Sequence, residues 1–174
     1  VMEVGPGLKS GVRIRMDNPA QLGGELLCAV VGALQRQTPP LVVANFDTAI
    51  SMLAVDGEGA LVGGAILPGP QLSLAALVKN TAQLPQVELD ARPKRMVGAN
   101  TADCLHSGMV HGTAAMVDGM VENFRAALKA PDAPVVTTGT LPRSVWAACR
   151  TQVDHRETLV LDGLYTIWKR NARR

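Results

Sequence analysis

Three short stretches place glycine and small polar residues where a strand or helix begins or ends. They are Gly23-Gly24-Glu25, Asn45-Phe46-Asp47-Thr48 and Thr138-Gly139-Thr140. Free backbone N–H groups at a helix start can hold a phosphate or a base, and so can hydroxyls and bare backbone at strand ends. On spacing alone the chemistry is that of a domain binding a phosphoryl ligand. Two readings of Gly23-Gly24 stay open: close packing of the helix on a neighbouring strand, and close approach of a ligand to the helix start. His106 and His111 are five apart and do not share a helix face as zinc ligands would, and His155 stands alone. There is no Gly-x-Ser-x-Gly elbow, Walker loop or Cys-x-x-Cys pair.

The elements that must position these stretches centre on Val42 to Gly69. Three apolar runs follow one another there, LVVANF, TAISMLAV and ALVGGAIL, the last two separated by Asp56-Gly57-Glu58-Gly59. Such runs, punctuated by Gly and Asp, predict an antiparallel three-strand meander. Upstream, Val1-Met2-Glu3-Val4 has the pattern of a strand interior, as in a fragment of a longer chain. Val4 to Gly7 reads as a turn and Val12 to Met16 as an edge strand. Asn18, Pro19 and Gln21 read as a cap, a first-position proline and a capping-box partner. They predict a helix to about Arg36 that buries Leu22, Leu26, Ala29, Val30 and Ala33.

Downstream, the pattern predicts a helix over 71–83, a loop over 84–93 and a long helix from Asn100 to about Lys129. That helix would have Ala102, Leu105, Met109, Ala115 and Met116 on its apolar side, with Gly108, Gly112 and Gly119 letting another helix come close. A buried strand over 134–138, a helix over 144–150, a connector and a last helix from about Glu157 complete the chain. The central order βββαβα matches the ribonuclease-H-like half of actin/hexokinase-type ATPases. The fold class is therefore α/β, a mixed sheet with a three-strand meander flanked by helices.

At 174 residues and 47% hydrophobic, the chain is long enough to bury a sizeable core. Aromatics make up only 3%, so that core must be Ala, Val and Leu. A net charge of +2 gives no reason to expect a nucleic acid or a membrane surface as partner. Cys28, Cys104 and Cys149 are odd in number and set in apolar periodic segments. They read as reduced core residues of a cytoplasmic protein.

GPGLKSG at 5–11, DNPAQLG at 17–23, GGAILPGPQLSLAALVKNTAQLP at 63–85, GANT at 98–101 and the ending TLVLDGLYTIWKRN resemble the type III pantothenate kinase family. The resemblance runs over nearly the whole chain, in order. It implies phosphorylation of pantothenate by ATP, the first step of coenzyme A synthesis, by a homodimer. It also implies a monovalent cation (potassium or ammonium) and a divalent metal, magnesium, with the nucleotide. Residues 1–38 would be the end of the first actin-like half with its linking helix, and 39–174 the C-terminal ribonuclease-H-like domain. The family's phosphate loop, D-x-G-N-T, has no counterpart in these residues.

Carried over residue by residue, the family's G-A-D-R motif is similar to Gly23-Gly24-Glu25-Leu26. This implies Glu25 as general base and places Leu26 where an arginine would bind substrate. The family's D-F-G-T-A is similar to Asn45-Phe46-Asp47-Thr48-Ala49. Asn45 then takes the monovalent-cation position without its charge, Thr48 meets ATP, and Asp47 replaces a glycine. T-G-G, a nucleotide contact, reads Thr138-Gly139-Thr140, and Thr101 keeps the threonine that contacts pantothenate. The altered positions all face ligands, which leaves two expectations. One is an ATP-dependent pantothenate kinase impaired in this chain. The other is a catalytically inactive homologue, or a fragment, serving as a dimerising or regulatory module.

Overall fold

The computed structural model describes residues 3–5 and 8–172. In chain order the elements are β1 (Arg13–Ile14), α1 (Gly24–Leu34), β2 (Leu41–Phe46), β3 (Ala49–Val55), β4 (Ala60–Pro68) and α2 (Pro70–Asn80). They continue with α3 (Thr101–Ala127), β5 (Val135–Gly139), α4 (Arg143–Ala148), β6 (Asp154–His155) and α5 (Leu159–Ala172). A single sheet runs β1-β4-β3-β2-β5-β6. β3 is antiparallel to both neighbours, whereas β1–β4, β2–β5 and β5–β6 are parallel. From β2 the chain walks outward through β3 to β4, then returns past α3 to lay β5 on the other side of β2. That is the expected ribonuclease-H-like topology. β1 covers only Ala60 and Leu61 of β4.

Strand periodicity sorts the core into two layers. Val42, Ala44 and Phe46 of β2 point to α3 and α4 and meet Val110, Ala114, Val117 and Val145. Leu41 and Val43 point the other way, to Ala29, Val30 and Ala33 of α1 and Leu159 of α5. β2 is buried along its whole length, so it reads as a continuous apolar run rather than an alternating one.

The helix expected from Asn18 is broken. A single 3-10 turn occupies Pro19–Gln21, Leu22 is extended, and α1 starts afresh with Gly23 as its cap. Asn18 makes no side-chain cap bond, so the expected capping box does not form. α1 and α5 pack closely through Gly32 and Gly163. A Cβ on Gly32 would strike the Leu159 carbonyl, and one on Gly163 the Cys28 carbonyl. Close helix approach was expected instead at Gly108, Gly112 and Gly119, but among the described residues nothing beyond the helix's own backbone lies within 4 Å of a Cβ at any of them.

On α3 the buried face differs from the expected one. Ala102 and Ala115 are exposed, while Ser107, Val110, Thr113, Val117, Asp118 and Val121 are buried. Polar residues disguise that face. Ser107 donates to the Met96 carbonyl and Thr113 to the Met109 carbonyl. The start of α3 is as expected, with the Asn100 side chain accepting from the Asp103 N–H at 2.9 Å. Only Cys28 of the three cysteines is fully buried. Cys149 is half-buried and Cys104 is exposed, which corrects the expectation of three core thiols. Of the stretch 1–4, Glu3 and Val4 belong to no strand, and Val1 and Met2 lie outside the described residues. Pro6 and Gly7 of the expected turn, and Arg173 and Arg174 at the tail, lie outside them too.

The segment read as a connector holds β6, and Asp118 anchors it. The Asp118 carboxylate accepts from the Thr151 hydroxyl (2.7 Å) and from the backbone N–H groups of Thr151 (2.9 Å) and Arg150 (2.9 Å). Burial by itself would raise its pKa, yet the donors of Thr151 and Arg150 outweigh burial and hold it below the usual carboxylate range. Removing the carboxylate strands several donors in a buried place. Asp118→Ala is therefore expected to cost about 3 kcal/mol of stability by urea unfolding. A pKa lowered in the folded state gives stability that is complete above about pH 4 and drains as the pH falls through the lowered value. The acid limb of the stability curve should accordingly be shallower in Asp118→Asn than in the parent chain.

Candidate functional site

The parallel strands β2 and β5 end side by side, with Asn45 opposite Thr138 and Phe46 opposite Gly139. The chain leaves β2 toward one edge of the sheet and β5 toward the other. In open α/β sheets, ligands bind in the crevice beyond the carboxyl ends of strands at such a switch point. Asn45 is the next residue after Leu41 and Val43 on the α1 side, and it is only 8% exposed. Glu25, in the first turn of α1, projects over it. The Asn45 Nδ2 donates to Glu25 Oε1 at 2.8 Å. The opposite amide orientation would set two oxygens against each other, so the donor assignment follows from the chemistry.

Glu25 is exposed and makes no other side-chain hydrogen bond among the described residues, which leaves Oε2 without a partner there. Gly24 and Gly23 divide the two readings left open above. A Cβ on Gly24 would sit 2.9 Å from the Val4 carbonyl oxygen, whereas nothing lies within 4 Å of one on Gly23. Packing against Val4 explains Gly24, and open space among the described residues surrounds Gly23. Leu26 is half-buried against the α1-side core.

The opposite wall is built around Gly139. Its φ of +84° lies in the left-handed region, and a Cβ there would run into the Phe46 carbonyl oxygen. The turn lets the Thr140 N–H reach that same carbonyl at 2.7 Å. Beyond it opens a cavity of about 700 Å³ lined by Gly139, Thr140, Arg143, Trp146, His155 and Glu157, among others. Trp146 packs edge-on against Phe46 (5.1 Å between ring centroids) and His155 (5.8 Å). His155 Nδ1 lies 3.0 Å from the Thr137 hydroxyl. The sequence reading missed Trp146 and His155. The available signal was a large aromatic a few residues after a Thr-Gly-Thr turn, in a chain with only two tryptophans.

Thr48 and Asp47 are both exposed in the β2–β3 hairpin just beyond Phe46, at the same end of the sheet. Thr101 is exposed at the first turn of α3, and no hydrogen bond among the described residues links it to Glu25 or Asn45. Among the described residues no group of three or more His, Cys, Asp or Glu could hold a metal ion.

The model of the type III pantothenate kinase family matches residues 1–123. The chain belongs to the type III pantothenate kinase family. It is 41% identical over 171 residues to the type III pantothenate kinase of Thermobifida fusca, a match covering 97% of this chain and 66% of that one. It is 38% identical over 173 residues to that of Streptomyces griseus, covering 98% and 65%. The chain thus spans a little under two thirds of the length of these curated relatives. A solved structure from Campylobacter jejuni, of a conserved protein assigned to the Baf family of transcriptional activators, superimposes with a TM-score of 0.60. It is 21% identical and is matched over 91% of this chain and 70% of its own, a likeness of fold.

Within the family frame, the motif positions Asn45, Thr48 and Gly139 stand at one end of the sheet with Glu25 hydrogen-bonded to Asn45. Gly139 is the position least able to change. Gly139→Ala combines a left-handed φ with a backbone collision and is expected to cost about 2–4 kcal/mol. Chemical denaturation measures that loss, and near-ultraviolet circular dichroism should show the Trp146 environment disturbed with it.

Proposed function

We propose that this chain is the second half, with the end of the first, of a kinase that moves the γ-phosphoryl group of ATP to pantothenate. Family membership supports the reaction. The Glu25–Asn45 contact at the switch point of the sheet carries the assignment of the site. Residues 1–38 would close the first actin-like half and link it to 39–174.

In this reading Glu25 Oε2 accepts the proton of the pantothenate hydroxyl as its oxygen attacks the γ-phosphorus. The bond from that phosphorus to the β–γ bridging oxygen breaks, and ADP leaves. Asn45 holds the other carboxylate oxygen and so fixes the direction of the base. The start of α1, with Gly23 and Gly24, presents unpaired N–H groups to an anionic group of the substrate. Thr48 and the Gly139 turn face the phosphates, and the cavity walled by Trp146 and His155 takes the nucleoside. Thr101 would meet pantothenate from the start of α3. Leu26 offers packing there, with no charge for a carboxylate.

Magnesium supplies neutralisation of phosphate charge when it arrives with ATP. No cage of protein ligands for it exists among the described residues, so no step is assigned to it here. The reaction would run in the cytoplasm, where ATP and free thiols such as Cys104 are at home. No helix among the described residues is long and apolar enough to cross a membrane.

One observation favours impairment. Asp47 puts a carboxylate where the family pattern has glycine. At ~4 Å from a phosphate that charge repels by about 1–4 kcal/mol, depending on screening. The D-x-G-N-T phosphate loop is absent from the 174 residues. The chain alone is therefore expected to release no ADP in a pantothenate-dependent coupled assay. A single chain that adds a relative's N-terminal third should gain turnover, and Asp47→Gly in that fusion should lower the KM for ATP about tenfold or more. If the fusion with Asp47→Gly stays silent while still folded, the second reading holds: an inactive homologue serving as a dimerising or regulatory module.

Dimerisation is proposed for either reading. The open surface at Gly108, Gly112 and Gly119 supports it. The methionines of that helix add nothing to it: Met116 and Met120 pack on the chain's own core, and Met109 packs on the small cluster of Leu74, Leu89 and Leu105. Sedimentation equilibrium at tens of micromolar is expected to show a dimer, and Gly112→Arg to show a folded monomer.

A further inference from the structure

The position that the family resemblance gives to a monovalent cation does not fit one here. Asn45 is a neutral amide, 8% exposed, with its N–H turned onto Glu25 Oε1 at 2.8 Å. A cation placed between the two side chains would face the positive edge of that amide. To coordinate it, the amide would have to turn over and give up a hydrogen bond to a charged acceptor, one of the stronger kinds.

Charge points the same way. With Asn in place of Asp, the corner holds one carboxylate rather than two, so half of the attraction for a cation is gone while the cost of stripping its water remains. No third His, Cys, Asp or Glu joins the pair among the described residues. Nor is there, among the described residues, a buried side-chain nitrogen or oxygen without a hydrogen-bond partner, so no orphaned acceptor there awaits an ion.

We infer that the Asn45 amide stands in for the cation: it holds and partly offsets the Glu25 carboxylate by a hydrogen bond within the chain, and the cleft takes no potassium. The longer stem of glutamate and the donor on asparagine then belong together. An aspartate at 25 would end about 1 Å short of the amide, and an aspartate at 45 would turn the contact into repulsion. Asn45 is on this account a positioning residue, and Asn45→Asp should create the ion dependence that the parent chain lacks. The inference rests on the kinase reading only for the identity of the ion.

The test needs neither ATP nor pantothenate, so its failure is separable from failure of the kinase reading. Thermal unfolding of the 174-residue chain is followed in potassium chloride and in tetramethylammonium chloride at equal ionic strength. Thallium(I) line broadening by NMR serves as a direct probe of ion binding. The parent chain is expected to melt at the same temperature in both salts and to leave the thallium line sharp. Asn45→Asp is expected to melt on the order of 5 °C lower in tetramethylammonium, to recover in potassium with a saturable dose, and to broaden the thallium line. Asn45→Ser, whose shorter side chain leaves its hydroxyl out of reach of Glu25 and adds no charge, should melt lower in both salts alike.

Saturable stabilisation of the parent chain by potassium, lost in Asn45→Ser, would overturn the inference. So would an Asn45→Asp chain that is indifferent to potassium, since the corner would then be no ion position for an amide to replace. If Asn45→Asp is unfolded in tetramethylammonium, its refolding on potassium titration gives the same reading, and failure to refold counts against it.

Discussion

Pairing β2 against β5 in parallel is the constraint on which the site depends. It brings the Phe46 carbonyl under Thr140, forces Gly139 into the left-handed region, and sets Asn45 beside Thr138. A parallel pair cannot be closed by a hairpin, so the chain between the two strands must cross over a face of the sheet. Here it does so through α2, the loop over 81–100 and the 27 residues of α3. Everything that widens or tilts this pair moves both walls of the cleft together, because each wall begins on the last residue of its strand.

Two further contacts keep the pair in place from outside. On one side α1 is drawn to α5 by reciprocal approach at Gly32 and Gly163, which sets the height of Glu25 above β2. On the other, Asp118 of α3 gathers the Arg150–Thr151 backbone and thereby delivers His155 next to Trp146. The buried carboxylate is spent on positioning that loop.

Much of this architecture was legible in the sequence because its signals are local. The meander was plain from three apolar runs and the Asp56–Gly59 turn, and Asn100 announced α3 by a capping pattern that the structure forms. What misled were signals that tertiary packing overrides. The Asn18-Pro19 cap ended as one 3-10 turn, since Gly23 offers the chain a second start. The buried face of α3 carries Ser107, Thr113 and Asp118, whose polarity is satisfied by the Met96 carbonyl, by the helix's own Met109 carbonyl one turn back, and by the Arg150–Thr151 loop. β6 is two residues long and takes its place from β5, so no run of its own could reveal it. Within the site, resemblance located Glu25 and Asn45 separately. Their direct contact spans twenty residues and emerged only with the fold.

β4 has an outer edge of a particular kind. β1 shields only its first two residues, and from Val62 to Leu67 no charged side chain interrupts the strand, with Ile66 77% exposed. Natural sheets blunt such rims with lysines, prolines or an added layer, because a bare ladder of N–H and C=O groups templates the addition of another strand. Pro68 ends the run but does not break its middle. The 174-residue chain on its own thus carries a seed for self-association that is distinct from any closed dimer on α3. Handling at high concentration would reveal it as growth of open-ended, β-rich assemblies, with a lag that shortens as concentration rises.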